Sequence, residues 1–448
     1  MPPAVRTRRA TAVALPAAAR RLRVPLSPFD AYWAALPPVR RVFLFAPPSP
    51  AVPFPDVVGV LRSSLAAVLP SFHPFAGEVV YEPDSRTVAI VVGEDAGVAF
   101  VEAETELEFA RLAVEGAEQD VDALRQLVPD IRREELPAPV MAVQVTEFVG
   151  GSGGGVAVGV ALHHAAADGN GLWRFIETWA AVADASGSQV ARLADEQEPP
   201  LHDRRLVHFD GDEELARVFL RQLAPELPRV VPKQDASPVL HPSLSRRTFT
   251  LAPSAVRRLK QQLAAASSTF TPPSTFAAVV AHGWVTIARA SGFTDAAPVY
   301  ASFLADCRGH MRPAPVPAAY VGNCVALCAV ALSGAELTGV DGCARACQAI
   351  REAVAEVKRD PLADRSRWVT KFTEMPRGRA IVMAGSPWFP AYGVDFGFGT
   401  PVRAELASMN HDGEMVLVAG REAGSVQASV ALSADKMPAF CEMFVSES

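Results

Sequence analysis

The stretch Val156-Ala-Val-Gly-Val-Ala-Leu-His-His-Ala-Ala-Ala-Asp-Gly-Asn-Gly171 is the most informative part of the chain. Its first half alternates bulky and small residues with a period of two, which predicts a β-strand that leads into His163 and His164. The glycine-rich residues after Asp168 predict a turn. A helix is predicted next, because apolar residues recur there at helical spacing: Leu172, Phe175, Ile176, Trp179 and Val182. His164 therefore lies where a buried strand ends, shortly before a carboxylate.

His164 is the strongest candidate for a catalytic residue. A neutral imidazole titrates near working pH, so it can take a proton from a hydroxyl that attacks a carbonyl. The alternative is a buried histidine whose ring is satisfied by backbone groups, but the strand-end position and the following acid, turn and helix favour catalysis. A metal ion bound by His163, His164 and Asp168 is disfavoured, because adjacent strand residues point to opposite faces.

Asp168 need not contact His164, since the fourth residue beyond a strand can point away and hold the turn. A buried carboxylate without a partner is costly, so Asp168 is predicted to pair with a cation. The candidate is Arg308, in the segment Asp306-Cys-Arg308.

Composition limits the class of protein. The chain has 448 residues, of which 50% are hydrophobic, and strands and helices alternate through both halves, so a two-domain α/β protein is predicted. We expect a first domain over 1–195, a crossover linker over 196–242 and a second domain over 243–448. The net charge of -7 disfavours nucleic acid as the main partner. No run of about 18 apolar residues occurs, so no membrane span is expected.

The N-terminal residues raise the question of targeting. Residues 1–29 contain several arginines and no acidic residue, a composition found in transit peptides. They are interrupted by prolines, form no clear amphipathic helix and run directly into what reads as mature fold. Without a secretory or retention signal, the expected compartment is the cytoplasm.

Two further segments have sequences that occur at functional sites. Gly150-Gly-Ser152-Gly-Gly154 formally matches the nucleophile elbow of serine hydrolases, but a strand follows it where that motif needs a helix. Pro272-Pro-Ser-Thr-Phe276 predicts the start of a helix with Ser274 as its N-cap. The hydroxyls of Ser274 and Thr275 with the free N–H groups there suit a phosphate, and simple capping is the alternative.

With these residues identified, the chain resembles the plant BAHD acyltransferases. Two family signatures are matched in order, as His164-Ala-Ala-Ala-Asp168 and Asp395-Phe-Gly-Phe-Gly399, although Phe398 stands where the family has Trp. Tyr320-Val-Gly-Asn-Cys324 is similar to a segment of the anthocyanin and phenolic-glucoside clade. Other similar segments are Leu26-Ser-Pro-Phe-Asp30, Phe72-His-Pro-Phe-Ala-Gly77, Pro200-Leu-His-Asp-Arg204, Ser274-Thr-Phe276 and Ala384-Gly-Ser-Pro387.

The resemblance implies a fold and a mechanism. The fold would be the two-domain chloramphenicol-acetyltransferase-like fold, with a mixed sheet and helices in each domain and an active-site channel between them. His164 would act as general base, no acyl-enzyme would form, and Asp168 and Arg308 would be a structural pair. The resemblance assigns bracing of the channel to Asp395, Gly397 and Gly399. Candidate acyl-CoA contacts are Ser274, Thr275, Gly385 and Ser386, with Arg174 for the free carboxylate of a malonyl group.

The resemblance also implies the substrates. An acyl-CoA, with malonyl-CoA favoured, would transfer its acyl group to a sugar hydroxyl of a flavonoid, anthocyanin or other phenolic glucoside. A hydroxycinnamoyl-CoA transferase acting on a phenolic or amine acceptor is the alternative within the class. Outside it stand a non-catalytic binding protein and a serine hydrolase with Ser152 as nucleophile. No permanently bound cofactor or metal is expected, and the family's usual form is a monomer.

Overall fold

The computed structural model describes residues 5–16, 22–47, 52–150, 154–184, 198–230, 244–266, 272–376, 378–408 and 411–446. Ser152 of the hydrolase hypothesis lies outside these residues, as do 185–197 and 231–243 around and within the predicted linker. Among the described residues, no helix has both the length and the apolar character needed to cross a membrane.

A six-stranded mixed sheet dominates the N-terminal half. Its strands 97–105 and 141–148 are parallel, and the other neighbouring strands are antiparallel. In spatial order the strands are Val5–Ala14, Gly97–Thr105, Met141–Phe148, Val156–Leu162, Val39–Phe45 and Arg403–Leu406. The arginine-rich N-terminus thus supplies an edge strand, in which Arg6 and Arg8 pair with Glu104.

The alternation in Val156–Leu162 reflects two different neighbours of the strand. Its bulky residues pack with Phe175, Ile176 and Trp179 of the next helix in one large core. Its small residues face a second core that contains Leu124 and Leu127. A side chain on Gly159 would overlap the Leu127 carbonyl oxygen, so this face must remain small. The segment 115–128, which contains both leucines, is therefore partly buried.

The C-terminal half contains a second six-stranded mixed sheet. The strand Ala380–Gly385 runs parallel to both of its neighbours, and the remaining pairs are antiparallel. The buried helix Thr275–Ala290 packs in the core of this half. In spatial order the strands are Leu244–Leu251, Val426–Ser433, Glu414–Ala419, Ala380–Gly385, Pro298–Asp306 and Val325–Ser333. The predicted α/β architecture with a mixed sheet in each half is confirmed.

A smaller four-stranded sheet adjoins the first half, and the sequence did not indicate it as a separate sheet. Its strands in spatial order are Leu22–Pro25, Thr87–Val92, Glu78–Glu82 and Ala138–Pro139. The α-helices are Pro28–Ala31, Phe54–Val68, Phe109–Ala113, Val121–Gln126, Gly169–Ala183, Asp212–Leu223, Pro253–Ala265, Thr275–Ala290, Gly334–Thr338, Gly342–Arg359, Trp368–Thr373 and Met437–Ser446.

One strand connects the two halves. Arg403–Leu406 comes from the C-terminal part of the chain but pairs with Val39–Phe45 in the N-terminal sheet. Its Glu405 is buried and forms ion pairs with Arg403 and with Arg246 of the C-terminal sheet. Sheet membership therefore does not follow the predicted boundary at residue 243, and the domain limits stay a prediction.

Candidate active site

His163 and His164 follow the strand Val156–Leu162 and differ in their surroundings. The His163 N–H donates to the Val140 carbonyl at 2.7 Å, which continues the strand pairing for one residue. The His163 side chain is 1% exposed, and burial, with His164 and Arg133 nearby, lowers its pKa to about 4. His163 is thus a neutral, enclosed residue, whereas His164 is a partly exposed one.

The His164 ring is held on one face by an aromatic side chain. Trp33 stacks on it with 3.9 Å between ring centroids and 9° between planes. The Nδ1 atom is buried, which leaves Nε2 as the nitrogen available to a substrate. Burial lowers the pKa of His164 below its ordinary 6.5, although its own main-chain carbonyl, Asp168, Asn323 and Asp30 act in the opposite direction. The ring is therefore neutral at physiological pH and can accept a proton.

Asp168 is turned away from His164 and contacts other groups. It is 2% exposed, it forms an ion pair with Arg308 at 2.8 Å, and it accepts a hydrogen bond from the Cys324 N–H at 3.0 Å. It also accepts from the Gly171 N–H at 3.1 Å as the N-cap of the helix Gly169–Ala183. The glycine-rich residues predicted as a turn are therefore the first turn of this helix, because the carboxylate caps it.

Arg308 reaches the same junction from the C-terminal half. Its guanidinium donates to the Tyr320 carbonyl and, at 2.8 Å, to the Gly322 carbonyl, and it pairs with Asp306 at 3.0 Å. Burial opposes its charge, but the Asp168 and Asp306 carboxylates outweigh that effect and raise its pKa. The predicted contact between Asp168 and Arg308 is present, and it ties the helix after His164 to the segment 320–324.

A second buried ion pair lies beside the first and was not found from the sequence. Asp30 pairs with Arg204 at 3.1 Å, and Arg204 also donates to the Ala166 carbonyl at 2.8 Å. The Asn323 amide donates to Asp30 at 2.9 Å and to the His164 carbonyl at 2.9 Å. Asp30 and Arg204 both fall in segments that resemble the family, which was the available signal, but nothing in the sequence paired them.

The predicted acyl-CoA contacts lie at two places. The exposed Ser274 caps its helix by accepting from the Ala277 N–H at 3.1 Å, as predicted, and Thr275 begins that helix. Gly385 has φ 78°, a conformation that favours glycine, and the Ser386 N–H donates to the Leu417 carbonyl at 2.9 Å.

The loop after Gly385 reaches the helix that Asp168 caps. A side chain on Gly169 would overlap the Phe389 ring, and the Phe389 ring lies 5.8 Å from that of Trp173. The loop also presents Trp388, which is 77% exposed. Gly385 and Ser386 are thus near the His164 motif in space.

Arg174 lies on the helix after the motif and is half-buried. It donates a hydrogen bond to the Glu198 carbonyl, where the described chain resumes after residue 184. Burial lowers its pKa, while Glu177 and Glu198 act in the opposite direction. The structure thus places this cation against Glu198, in the segment predicted to be the crossover linker.

The segment Asp395 to Gly399 packs at the other end of that helix. Asp395 accepts hydrogen bonds from the Gly397 N–H at 2.8 Å and the Gly399 N–H at 2.9 Å, and both glycines have positive φ, 90° and 105°. Phe396 contacts Trp179, with 4.7 Å between ring centroids. Because the helix has 15 residues, the segment is about 20 Å from Asp168.

The residues that the structure describes include no group of three or more His, Cys, Asp or Glu side chains that could hold a metal ion. The residues gathered at His164 are instead an imidazole, two carboxylate–guanidinium pairs and an amide.

Comparisons with known proteins agree with the sequence signatures. The Transferase family matches residues 5–446. Phenolic glucoside malonyltransferase 1 of Arabidopsis thaliana is 29% identical over 426 residues, which cover 90% of this chain and 88% of that protein. Coumaroyl-CoA:anthocyanidin 3-O-glucoside-6''-O-coumaroyltransferase 2 of the same plant is 28% identical over 441 residues, covering 93% of this chain and 91% of that protein.

Solved structures show the same fold. Vinorine Synthase superimposes with a TM-score of 0.73 at 19% identity, covering 99% of this chain and 98% of that one. TRI101 of F. graminearum, complexed with Coenzyme A and T-2 mycotoxin, superimposes with a TM-score of 0.67 at 16% identity, covering 93% and 96%. The chain therefore belongs to the Transferase family, the BAHD acyl-CoA-dependent acyltransferases, and has their two-domain chloramphenicol-acetyltransferase-like fold.

Proposed function

We propose that this acyltransferase uses His164 as a general base. Nε2 takes the proton of an acceptor hydroxyl while the oxygen attacks the thioester carbonyl of an acyl-CoA. A tetrahedral oxyanion forms and collapses, the C–S bond breaks, and the CoA thiolate leaves and takes a proton. The observation that carries the proposal is His164 itself, a partly exposed residue at the end of a buried strand, whose imidazole has a lowered pKa and a buried Nδ1.

The remaining signature residues support this base without taking part in proton transfer. Asp168 and Arg308 form a structural pair that holds the helix behind His164 against the segment 320–324. Asp395, Gly397 and Gly399 form a turn that braces the far end of the same helix. We assign Ser274, Thr275, Gly385 and Ser386 to acyl-CoA binding, with the phosphates of CoA suited to the helix start at Ser274.

For the donor we propose malonyl-CoA, as in the name of the phenolic glucoside malonyltransferase. A malonyl group has a free carboxylate that needs a cation in the site. Arg174 is our candidate, on the helix that follows His164. Its guanidinium donates to the Glu198 main-chain carbonyl, and a malonyl carboxylate would compete with the Glu177 and Glu198 carboxylates for its charge.

For the acceptor we propose a phenolic glucoside, acylated on a sugar hydroxyl. A small apolar pocket lies beside Trp33, next to His164, and its aromatic and aliphatic lining favours contact with an aromatic ring. The same lining supports the second candidate, a hydroxycinnamoyl-CoA transferase, because an aromatic acyl group would make the same contacts. The pocket residues are Phe29, Tyr32, Trp33, Leu304, Val325, Leu327 and Trp368. We further propose a cytoplasmic monomer.

The test is product formation from malonyl-, acetyl- and coumaroyl-CoA against a panel of phenolic glucosides, read by mass spectrometry. We expect malonylated glucosides from the wild-type protein and loss of transfer by about two to four orders of magnitude in His164→Ala, with the melting temperature retained. His163→Asn is the neighbouring comparison and should keep more activity. Wild-type turnover in His164→Ala would disprove the base assignment, and coumaroylated products alone would establish the second candidate.

A further inference from the structure

Residues other than Asp168 and Arg308 also hold His164 in place. Two contacts reach this residue from outside its own strand and helix. Asn323 donates to its main-chain carbonyl at 2.9 Å, and Trp33 stacks on its ring at 3.9 Å. Both of these residues are connected to the same buried carboxylate, Asp30, which is fully enclosed.

The connection through Asn323 is set by hydrogen bonding. Asp30 accepts from the Asn323 main-chain N–H at 3.1 Å and from its side-chain amide at 2.9 Å. The side-chain amide then donates to the His164 carbonyl. Because both neighbours of this amide are acceptors only, the NH₂ group must face them, and the orientation of the Asn323 side chain is fixed.

The connection through Trp33 is one helical turn long. Asp30 lies in the short helix Pro28–Ala31, and the Trp33 N–H donates to the Asp30 carbonyl at 2.9 Å. The Asp30 carboxylate is held in turn by Ser27, whose hydroxyl donates at 2.7 Å, and by Arg204. The position of the indole over the imidazole therefore depends on where this carboxylate is anchored.

We propose that Asp30 is a positioning residue for the catalytic base, acting on the His164 main chain through Asn323 and on its ring through Trp33. The inference rests on the proposed role of His164. It assigns to the Asp30–Arg204 pair a task parallel to that of Asp168–Arg308: one pair fixes the helix behind the base, and the other fixes the backbone and the ring of the base itself. A small displacement of an otherwise intact base can lower a rate by about two orders of magnitude.

The first test is Asn323→Ala, which removes the amide but keeps the main-chain N–H that bonds Asp30. We expect kcat to fall by roughly tenfold or more, while KM for acyl-CoA changes by less than about threefold. Gln144→Ala is the matched control, because it removes another buried amide that donates to a main-chain carbonyl, that of Gln126 at 2.8 Å, elsewhere in the sheet. An equal fall of kcat in both variants, or no fall in Asn323→Ala, would overturn the proposal.

The second test needs no acceptor. Carbethoxylation of His164 by diethyl pyrocarbonate at a fixed neutral pH, followed by tandem mass spectrometry, reports how accessible the imidazole is. Asn323→Ala removes the amide that holds the His164 main-chain carbonyl, so the ring is less restrained and its rate of modification should rise by roughly threefold or more. Gln144→Ala should leave the rate unchanged. An unchanged rate in Asn323→Ala contradicts the inference even if no acceptor has been found.

The third test addresses the indole. Trp33→Leu removes the aromatic face over the imidazole, and Trp33→Phe keeps one. We expect His164 to react faster with diethyl pyrocarbonate in Trp33→Leu, by roughly threefold or more, with a rate closer to wild type in Trp33→Phe. Equal reactivity of all three proteins would remove Trp33 from the proposal. If no acyl-CoA and acceptor pair yields product with the wild-type protein, the proposed function fails, while the carbethoxylation results still decide the positioning.

Discussion

At the scale of single residues, the proposed chemistry depends on which form of His164 is present. Burial favours the neutral imidazole more than its neighbours favour the charged one, so its pKa lies below 6.5. A base must be neutral to accept a proton, and the neutral fraction increases as pH rises through the pKa. His164 is thus in its working form over the whole range from pH 7 upward.

The pH dependence of kcat/KM follows from this. We expect a plateau above pH 7 and an acid limb centred below pH 6.5, where the rate falls about tenfold per unit of pH. His208→Ala, which removes an exposed histidine, should leave the profile unchanged. An acid limb centred above 6.5 would show that another group controls the reaction.

Asp168 should contribute to stability as well as to activity. Asp168→Ala leaves the buried guanidinium of Arg308 without its closest carboxylate, and breaking one side of a buried pair costs about 3–5 kcal/mol. The free energy of unfolding from denaturant titration measures this loss. Asp306→Ala is the control: it removes a half-exposed partner of the same arginine and should cost less than about 1 kcal/mol. Loss of activity in Asp168→Ala at unchanged stability would indicate a direct chemical role.

At the scale of elements, the helix Gly169–Ala183 is the feature that places the site. Asp168 caps its start, Phe396 packs near its end, and its apolar face packs on the strand that precedes His164. Its first turn lies so close to the segment 320–324 that a side chain on Gly171 would overlap the Val321 carbonyl oxygen. The glycine in this motif is therefore required by packing rather than by an unusual backbone angle.

Gly171→Ala tests this packing. The added methyl group must displace the segment that contains Asn323, at a cost of about 1–3 kcal/mol, and the melting temperature and kcat should fall together. Gly59→Ala is the matched control, since it lies in another helix with no atom near the new methyl group, and it should stabilise by about 0.5–1 kcal/mol. Equal stability of both variants would contradict the close packing.

Features set by local pattern were accessible from the sequence. The strand Val156–Leu162, the helix that follows it and the Ser274 cap were predicted because periodicity and capping act over a few residues. The contact between Asp168 and Arg308 was predicted because a buried carboxylate needs a cation. The Asp30–Arg204 pair and the Trp33 stack were missed, because their partners lie far apart in sequence and only the tertiary fold brings them together.

At the scale of the whole molecule, the two halves meet around a buried carboxylate. Glu405 accepts hydrogen bonds from Thr248 and Ser429 at 2.8 Å each, and it pairs with Arg403 at 3.0 Å and Arg246 at 3.3 Å. Burial opposes its charge, but the two guanidinium groups and the hydroxyls outweigh that effect and lower its pKa. This cluster joins the strand Arg403–Leu406 to the C-terminal sheet.

Glu405→Gln should weaken this junction by about 3–5 kcal/mol, since it leaves buried arginines without their anion. The folded-state pKa lies below the ordinary 4.5, so the ionised group stabilises the protein above pH 4.5 and this contribution is lost as pH falls through the lowered pKa. Denaturant midpoints measured from pH 7 down to acid should therefore converge for the two proteins. Glu214→Gln, a surface variant, should follow wild type; parallel curves for Glu405→Gln would contradict the assignment.

The strand Arg403–Leu406 is synthesised near the end of translation, and this delay affects folding of the N-terminal sheet. At roughly 5–20 residues per second, a ribosome needs on the order of tens of seconds to travel from Phe45 to this strand. During that time the nascent N-terminal sheet exposes Val39–Phe45 as an unpaired edge, and such edges promote aggregation. Chains that terminate before residue 403 should therefore precipitate unless chaperones protect them, and the N-terminal half expressed alone would lack the strand that completes its sheet.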